Sequence, residues 1–404
     1  GSAQREGDRI RIATELIEVA AQSQLWADAF DRELSGILMV QSDIAREVAN
    51  ALALKLLPEE QQRLTSADTV NSAAYEAYLK GSMQWTTLDA KGLESAERYF
   101  MQALEEDPSY AEAYAGLAWV WAGRQQAGIS PPSEAGPKGK AAAERAIALD
   151  DTSDAAHVAL AAINTWTDWD WEAAEHEWQR ALEINPNNAM AHAYYAHFLA
   201  LLGRTDEAVE HAEQSTELDP YNPLFRGLYG IALVIDRRFD EAAAAFRVAF
   251  DLQPNDPFAG AAVQHVYIAK GMREAHLEQQ RERIARDPGR VAAFEQGLSE
   301  GVYEGAQLAI ADLLAERYEM AEGIPDAGRR TVFLPVAISW RFIDGGDFQR
   351  GIDWLEEAYK VGDPNLPYLA MPLFDPLRSD PRFQELARRM NLPHVTSVAT
   401  SYQH

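Results

Sequence analysis

The sequence lacks cysteine and has comparatively few cationic side chains. Its 404 residues include 36 Lys and Arg against 63 Asp and Glu, which gives a net charge of −27 at pH 7. The absence of cysteine excludes disulfides, thiolate nucleophiles and cysteine-ligated zinc, but it leaves the compartment open. A surface this acidic repels phosphate backbones and anionic membranes, so we expect no nucleic-acid binding.

Long apolar runs are also missing. No stretch approaches the roughly 18 apolar residues that can span a bilayer, and no signal peptide is visible in the sequence. We therefore expect no membrane insertion and a cytoplasmic location. Gly1 and Ser2 resemble a cloning remnant, which predicts a longer natural chain. A membrane helix in that missing part would overturn the cytoplasmic prediction.

Motifs for catalysis and cofactor binding are absent from the sequence. It contains no GxxxxGK[ST], GxSxG, HExxH or EF-hand pattern. His192 and His197 lie five residues apart, whereas metal ligands on one helix face favour a spacing of three or four. Acidic residues scatter over predicted outer faces, so no catalytic carboxylate pair stands out. We predict no catalytic residue, no cofactor and no metal site.

A fixed period of 34 residues is present instead. It separates the prolines Pro186, Pro220, Pro254 and Pro288. Upstream, Asp151 takes the place of the proline 35 residues before Pro186, and Pro108 lies 43 residues earlier still. Proline lacks the backbone N–H that a continuing helix needs, so each anchor predicts the end of a helix.

Small and large apolar residues recur before each anchor. Before Pro254 they are Ala242, Phe246 and Ala249, at twelve, eight and five residues from the proline. The small residues allow a second helix to approach closely, and the large one fills the space beside it. Only the unit before Pro288 departs from the pattern, with His276, Gln280 and Arg283 in these positions.

The period and its pattern resemble tetratricopeptide repeats. The resemblance implies a mainly α fold, in which about eight helical hairpins stack into a right-handed α-solenoid. We assign about six repeats to residues 73–290 and degenerate hairpins to residues 291–363. Residues 364–393 then form a capping helix with a polar outer face, and the tail at 394–404 has no helical pattern. The Gly- and Pro-rich stretch at 128–139 predicts a loop that leaves the solenoid.

The N-terminal region has a different pattern. Residues 9–19 and 24–33 alternate between apolar and polar, which predicts a β-hairpin. A helix follows to about Leu57, capped by Ser35 or Asp43 and with Ile44 and Val48 on its apolar face. Pro58 ends this helix. Residues 59–72 are polar and form a linker.

This region carries a second resemblance. The segments DRIRIATELIEV, LWADAFDREL and QSDIAREVANAL resemble the C-terminal half of the TolB-like domain, which precedes tetratricopeptide repeats in bacterial signalling proteins. Residues 3–58 are therefore predicted to be a partial TolB-like α/β segment. Its truncated sheet would leave a strand edge unpaired. That edge predicts either a homodimer through the hairpin or a monomer whose hairpin folds back onto the first repeats.

One face of the first helices in the repeats is expected to line the concave surface of the solenoid. It presents Trp119, Ile163, Trp166, His197, Leu201, Ile231, Ile235, His265 and Ile268. Lys, Arg and Asn, which bind a terminal carboxylate in chaperone-binding members of the family, are missing from these positions. An apolar groove suits a helix or an extended apolar segment of a partner. Alternatively, the solenoid winds tightly and this row contacts its own next turn or its own C-terminal helix.

These features favour a non-catalytic interaction and regulatory module of a bacterial multidomain signalling protein. Its partner would be a protein or peptide bound in the apolar groove. The alternative is a peptide or small-molecule sensor domain that controls an attached output domain. In the families that the sequence resembles, this output is a nucleotide cyclase, a kinase or a DNA-binding domain.

Overall fold

A small antiparallel sheet opens the computed structural model, which describes residues 2–6, 9–18, 23–33, 44, 47–49, 71–254, 257–321 and 334–396. Its strands β1 (Ser2–Glu6), β2 (Arg9–Glu18) and β3 (Ser23–Glu33) lie in that order. The predicted β2–β3 hairpin is confirmed, with Ile12 opposite Phe30 in the register. Strand β1 was not predicted, and it covers the other edge of β2.

The predicted helix after the hairpin falls mostly outside the described residues. Ile44 and residues 47–49 are helical, and Ala49 is buried. The caps proposed at Ser35 and Asp43, the end at Pro58 and most of the linker at 59–72 also lie outside the described part of the chain.

Helical hairpins make up most of the described residues from position 71 onward. The first ten helices are α1 (Ser72–Trp85), α2 (Ala90–Glu106), α3 (Ala111–Gln126), α4 (Pro132–Leu149), α5 (Asp154–Ile163), α6 (Trp171–Ile184), α7 (Ala189–Leu201), α8 (Thr205–Leu218), α9 (Pro223–Ile235) and α10 (Phe239–Leu252). They pack in five successive pairs, and each pair contacts the next. The mainly α solenoid predicted from the period is thereby confirmed.

Seven further helices follow in the described residues. They are α11 (Pro257–Ala262), α12 (Gln264–Ala269), α13 (Arg273–Ile284), α14 (Pro288–Ala321), α15 (Pro335–Asp344), α16 (Phe348–Val361) and α17 (Pro381–Arg389). Helices α11 to α13 make the sixth hairpin, α14 the seventh and α15 with α16 the eighth. The described residues thus contain the expected eight hairpins.

The repeat residues pack as their sizes predict. Ala242, Phe246 and Ala249 are all fully buried. A Cβ on Gly230 of the preceding helix would lie 2.5 Å from the Phe246 ring. The missing side chain of the glycine therefore provides the space that the large residue of the same hairpin fills. Gly81 of α1 allows Phe100 of α2 the same close approach in the first hairpin, at 2.7 Å.

The Gly- and Pro-rich stretch at 128–139 is not a protruding loop. Helix α4 begins at Pro132, where a proline costs nothing because the first helical N–H has no partner within the helix. A Cβ on Gly139 would lie 2.8 Å from Ile163 of the next hairpin. The loop prediction was wrong because these glycines serve close helix packing rather than chain flexibility.

Helix α14 turns back on itself at Gly301 and Val302. The backbone there is non-helical, and Val302 has a φ of 53°, a left-handed conformation that a β-branched residue rarely adopts. A Cβ on Gly305 would lie 2.2 Å from the Gly297 carbonyl oxygen. The two arms therefore touch backbone to backbone, and this approach requires glycine on both sides.

The C-terminal part does more than cap the last hairpin. Phe383, Leu386 and Met390 face inward, as predicted, and are buried. Arg382 binds Asp353 and Glu356 of α16 at 2.6 and 3.0 Å, as a terminal cap would. The two 3₁₀ turns before α17, Leu366–Ala370 and Pro372–Leu377, instead run back onto the middle repeats.

Candidate functional site

The nine residues of the predicted groove lie along the inner face of the solenoid. Two of them, Trp119 and Ile268, are partly buried. The other seven are no more than 6% exposed: Ile163, Trp166, His197, Leu201, Ile231, Ile235 and His265. Most of this row is therefore closed to solvent.

The chain's own C-terminal segment, residues 366–395, covers much of that row. Leu369 and Phe374 belong to the same buried cluster as Trp166 and Ile231. The Tyr368 and His197 rings pack edge to face, with centroids 5.2 Å apart. The row thus contacts the chain's own C-terminal segment, one of the two arrangements that the sequence left open. Its use by a partner stays a prediction.

Polar contacts hold this C-terminal segment in place. The Trp171 Nε1–H donates to the Met390 carbonyl at 2.7 Å, and Arg237 donates to the Asp375 carboxylate at 2.7 Å. Arg378 is 1% exposed. Its guanidinium donates to the carbonyl oxygens of Ala370, at 3.2 Å, and Val395. The two Arg378 bonds satisfy backbone carbonyl oxygens of buried residues within the segment.

The imidazole of His197 is buried within the apolar row. Neither ring nitrogen finds a partner among the described residues, and the Trp166 ring lies edge to face at 5.7 Å. Burial lowers the pKa of His197 to about 3, because the charged imidazolium would lose its hydration without gaining a counter-ion. The imidazole is therefore neutral at physiological pH.

An open cavity of about 520 Å³ lies at the N-terminal end of the same inner face. We call it the open pocket. Its lining comes mainly from α1, α3, α5 and α7 and from residues 219–225. It includes Tyr78, Ser82, Trp85, Glu112, Trp119, Asn188, Met190, Asp219 and Tyr221. Trp119 is the one member of the predicted row among them.

Two tryptophans form an aromatic side of the open pocket. The Trp85 and Trp119 rings meet edge to face with centroids 5.5 Å apart, and the Trp85 Nε1–H donates to the Trp119 carbonyl at 3.3 Å. The Tyr194 ring also packs on Trp119, with centroids 4.7 Å apart. Trp85 lies 34 residues before Trp119. Extending the repeat register into α1 would have found it from the sequence.

The charged residues of the open pocket are all acidic. Its lining contains Glu112 and Asp219 but no Lys, Arg or His. Burial raises the pKa of Glu112, and the nearby Asp150 and Asp154 add to the increase. Within the described ranges no side chain donates a hydrogen bond to Glu112. Burial also raises the pKa of Tyr78 to about 12, with a further contribution from the Glu112 charge.

The hairpin that breaks the repeat pattern contains a buried polar network. His276 Nδ1 lies 2.6 Å from the Tyr303 hydroxyl, which donates to Asp344 at 2.8 Å. Gln280 and Gln307 bond to each other at 3.0 and 3.1 Å. Burial lowers the pKa of His276 to about 3 and raises that of Asp344 to about 6. The network is enclosed, so it joins α13, α14 and α15 and does not form an accessible site.

The two histidines considered as metal ligands are not brought together. His197 contacts the C-terminal segment, while His192 Nδ1 lies 2.8 Å from Nδ1 of His211 on α8. In the described part of the chain no three His, Asp or Glu side chains are placed to hold a metal ion. Nor does any described helix combine the length and apolar character that crossing a bilayer requires.

The chain matches a family model over one short range and a curated protein over part of its length. The sequence model of the tetratricopeptide repeat family matches residues 177–210. Putative adenylate cyclase 3 of Rhizobium meliloti (strain 1021) is 31% identical over 169 residues, which are 41% of this chain and 28% of that protein. The matched part therefore spans less than a third of this relative.

Solved tetratricopeptide repeat structures are similar at low identity. TTC0263, a protein of Thermus thermophilus, covers 48% of this chain and 100% of its own, at 19% identity and a TM-score of 0.39. YrrB, described as having an unusual peptide-binding site, covers 50% and 96% at 23% identity and a TM-score of 0.29. Human IFIT1 with m7Gppp-AAAA covers 75% and 78% at 15% identity and a TM-score of 0.49.

Proposed function

We propose that this chain is a non-catalytic interaction and regulatory module that binds a protein or peptide partner in its open pocket. The observation that supports the proposal is the pocket itself, an aromatic cavity of about 520 Å³ at the uncovered end of the concave face. Such a cavity is within the size range of binding sites, and it leaves indole and phenol surface accessible for contact.

The covered part of the concave face is not where we place the partner. Trp166 and Ile231 are 6% and 4% exposed beneath the C-terminal segment. Replacing either by Glu would bury a charge and disturb the fold, so such variants cannot separate binding from stability. Trp85 and Trp119 line the open pocket and are better suited to test the interaction.

A cyclase-containing signalling protein is the setting that we propose for the module. The support is the match to part of a protein named putative adenylate cyclase 3 and the resemblance of residues 3–58 to half of a TolB-like domain. In this setting the module is cytoplasmic, and partner binding regulates an attached nucleotide cyclase. A small-molecule sensor is the second candidate, because the pocket could also enclose a compact ligand.

Truncating the tryptophans of the open pocket should weaken partner binding. Peptides selected from a displayed random library on the intact chain are expected to bind Trp85→Ala and Trp119→Ala ~30-fold less tightly, because buried Trp contacts commonly contribute ~2 kcal/mol. Fluorescence anisotropy gives the affinities. Met83→Ala is the matched control, because Met83 is 72% exposed on the same helix as Trp85.

Circular dichroism should show the same helical content in all three variants. If the selected peptides bind Trp85→Ala and Trp119→Ala as tightly as the unmodified chain, the interface lies elsewhere. Selection of a compact ligand but no peptide would favour the sensor.

We also propose a two-fold dimer through the N-terminal sheet. Among the described strands, β3 pairs with β2 alone, so its outer backbone groups lack strand partners and favour pairing with a second copy. Light scattering should give a dimeric mass for the full chain and a monomeric mass for a chain that begins at Thr69. A dimer that survives removal of the sheet, or a monomeric full chain at high concentration, would contradict this proposal.

A further inference from the structure

We propose that the open pocket selects a partner segment that carries a Lys or Arg side chain between apolar residues. The cationic head would pair with Glu112, and its aliphatic stem would lie on the aromatic side of the pocket. This inference rests on the proposed function and specifies the chemistry of the partner.

The first reason is the carboxylate of Glu112, which bonds to its own backbone N–H but has no side-chain donor and no cation among the described residues. Glu112 lines the pocket and is only partly exposed, and none of the charges that shift its pKa is a cation. An uncharged occupant would remove the remaining water from this carboxylate without replacing its hydrogen bonds, which is unfavourable. A guanidinium or ammonium group would provide charge-assisted hydrogen bonds instead.

The neighbouring acidic side chains behave differently and help to single out Glu112. Asp154 accepts hydrogen bonds from the side-chain amides of Asn185 and Asn188, at 2.5 and 3.0 Å. Asp219 accepts one from Asn222 at 3.1 Å. These carboxylates already have partners within the protein, whereas no described side chain donates to Glu112. Glu112 is therefore the acidic group of this region that a ligand can still satisfy.

The aromatic side of the pocket is the second reason. Indole faces attract cations more strongly than other side-chain rings do, and Trp85 and Trp119 stand in the same cavity as Glu112. Met190 and Tyr221 add apolar surface, and Tyr221 is 81% exposed. Long cationic side chains bury their methylene groups on such surfaces while their charged ends reach polar partners. Apolar flanking residues of the partner would occupy the rest of the cavity.

Charge also argues against other occupants. An anionic segment would meet Glu112 and Asp219 without any lining Lys, Arg or His to offset them. The chain as a whole carries a net charge of −27, which attracts cationic partners over a distance and repels anionic ones. The partner class that fits is a basic, otherwise apolar peptide segment.

A displayed library of random peptides tests this inference on the intact chain. We expect the enriched peptides to share one Lys or Arg among apolar residues and to bind Glu112→Gln at least ~10-fold less tightly. Replacing that Lys or Arg by norleucine should produce a similar loss. Glu210→Gln is the matched control, because Glu210 is exposed and outside the pocket but the change in net charge is the same.

A double-mutant cycle that combines Glu112→Gln with the norleucine peptide tests whether the cation contacts Glu112 directly. If the cation contacts Glu112, norleucine substitution in the peptide should cost little further affinity in Glu112→Gln. Peptides without a shared cation, or peptides that lose affinity for Trp85→Ala but not for Glu112→Gln, would overturn the cation assignment and leave the proposed function standing. No enrichment, or equal binding to all of these variants, would overturn both.

Discussion

Replacing Arg378 by methionine is expected to destabilise the folded chain by ~3 kcal/mol. The guanidinium is 1% exposed and donates to Asp375 at 2.8 Å and to the carbonyl oxygens of Ala370 and Val395. Methionine keeps most of the aliphatic volume but donates nothing, so buried oxygens lose their partners. Urea unfolding followed by circular dichroism gives the free energy of unfolding.

The same substitution at Arg388 is the control. Its side chain is 73% exposed, with an ion pair to Glu385 three residues earlier, so Arg388→Met should change stability by less than ~0.5 kcal/mol. Loss of Arg378 should also speed tryptic cleavage near α17, because the C-terminal segment loses bonds within itself and opens locally more often. Equal stability and equal cleavage rates in the two variants would show that Arg378 does not stabilise the fold of the segment.

Replacing His197 by phenylalanine should remove part of the acid sensitivity of the fold. The unfolded chain binds a proton at this residue near pH 6.5, whereas the buried imidazole has a pKa of about 3. Between these pH values the unfolded state binds more protons than the folded state. The contribution of the neutral His197 to the free energy of unfolding is therefore complete above pH 6.5 and is lost progressively as the pH falls. At pH 5 the loss is ~2 kcal/mol relative to pH 7.

The measurement is the difference between pH 7 and pH 5 in unfolding free energy, compared between the unmodified chain and His197→Phe. This comparison cancels the contributions of other buried groups to the pH dependence. Asp344 and Asp363, for example, have raised pKa values of about 6 and gain stability as the pH falls, in both chains alike. His176→Gln should leave the difference unchanged, because the His176 side chain is 75% exposed. An unchanged pH dependence in His197→Phe would contradict a buried neutral imidazole.

The hairpins could be predicted from the sequence because their packing is local and repeated. Ala242, Phe246 and Ala249 contact neighbours within one or two repeat lengths, so the same requirement recurs every 34 residues and leaves a period. The β2–β3 hairpin was predicted for a similar reason, since strand alternation is a local pattern. Strand β1 was not predicted, because its five residues are too few to show an alternating pattern.

The path of the C-terminal segment could not be predicted in the same way. Its 3₁₀ turns contain Pro367, Pro372 and Pro376 and have no helical period. Its contacts lie far away in sequence: Trp171 and Met390 are separated by 219 residues. No spacing rule relates such residues. The sequence predicted the apolar row and offered the chain's own C-terminal helix as one segment that could cover it. No sequence pattern distinguished this arrangement from an open groove.

The buried polar network shows a different limit. His276, Gln280 and Arg283 were visible as exceptions to the repeat, but the groups that satisfy the first two lie on α14 and α15. Tyr303 is 27 residues from His276, and Asp344 is 41 residues beyond Tyr303. A polar residue at a packing position indicates that a partner exists without identifying it. Glu112 was missed because it is one of 63 acidic residues, and its lack of a side-chain donor is visible only in three dimensions.

The contact between Trp171 and Met390 has a consequence for folding during synthesis on the ribosome. Trp171 leaves the ribosome 219 residues before the residue that it binds. At synthesis rates of about 5–20 residues per second, that delay is ~10–40 s. Helical hairpins form far faster than this, so the middle repeats are folded while their inner apolar face still lacks its cover. During this interval the nascent chain presents a surface that a chaperone can bind, and folding cannot finish until the C-terminal segment emerges.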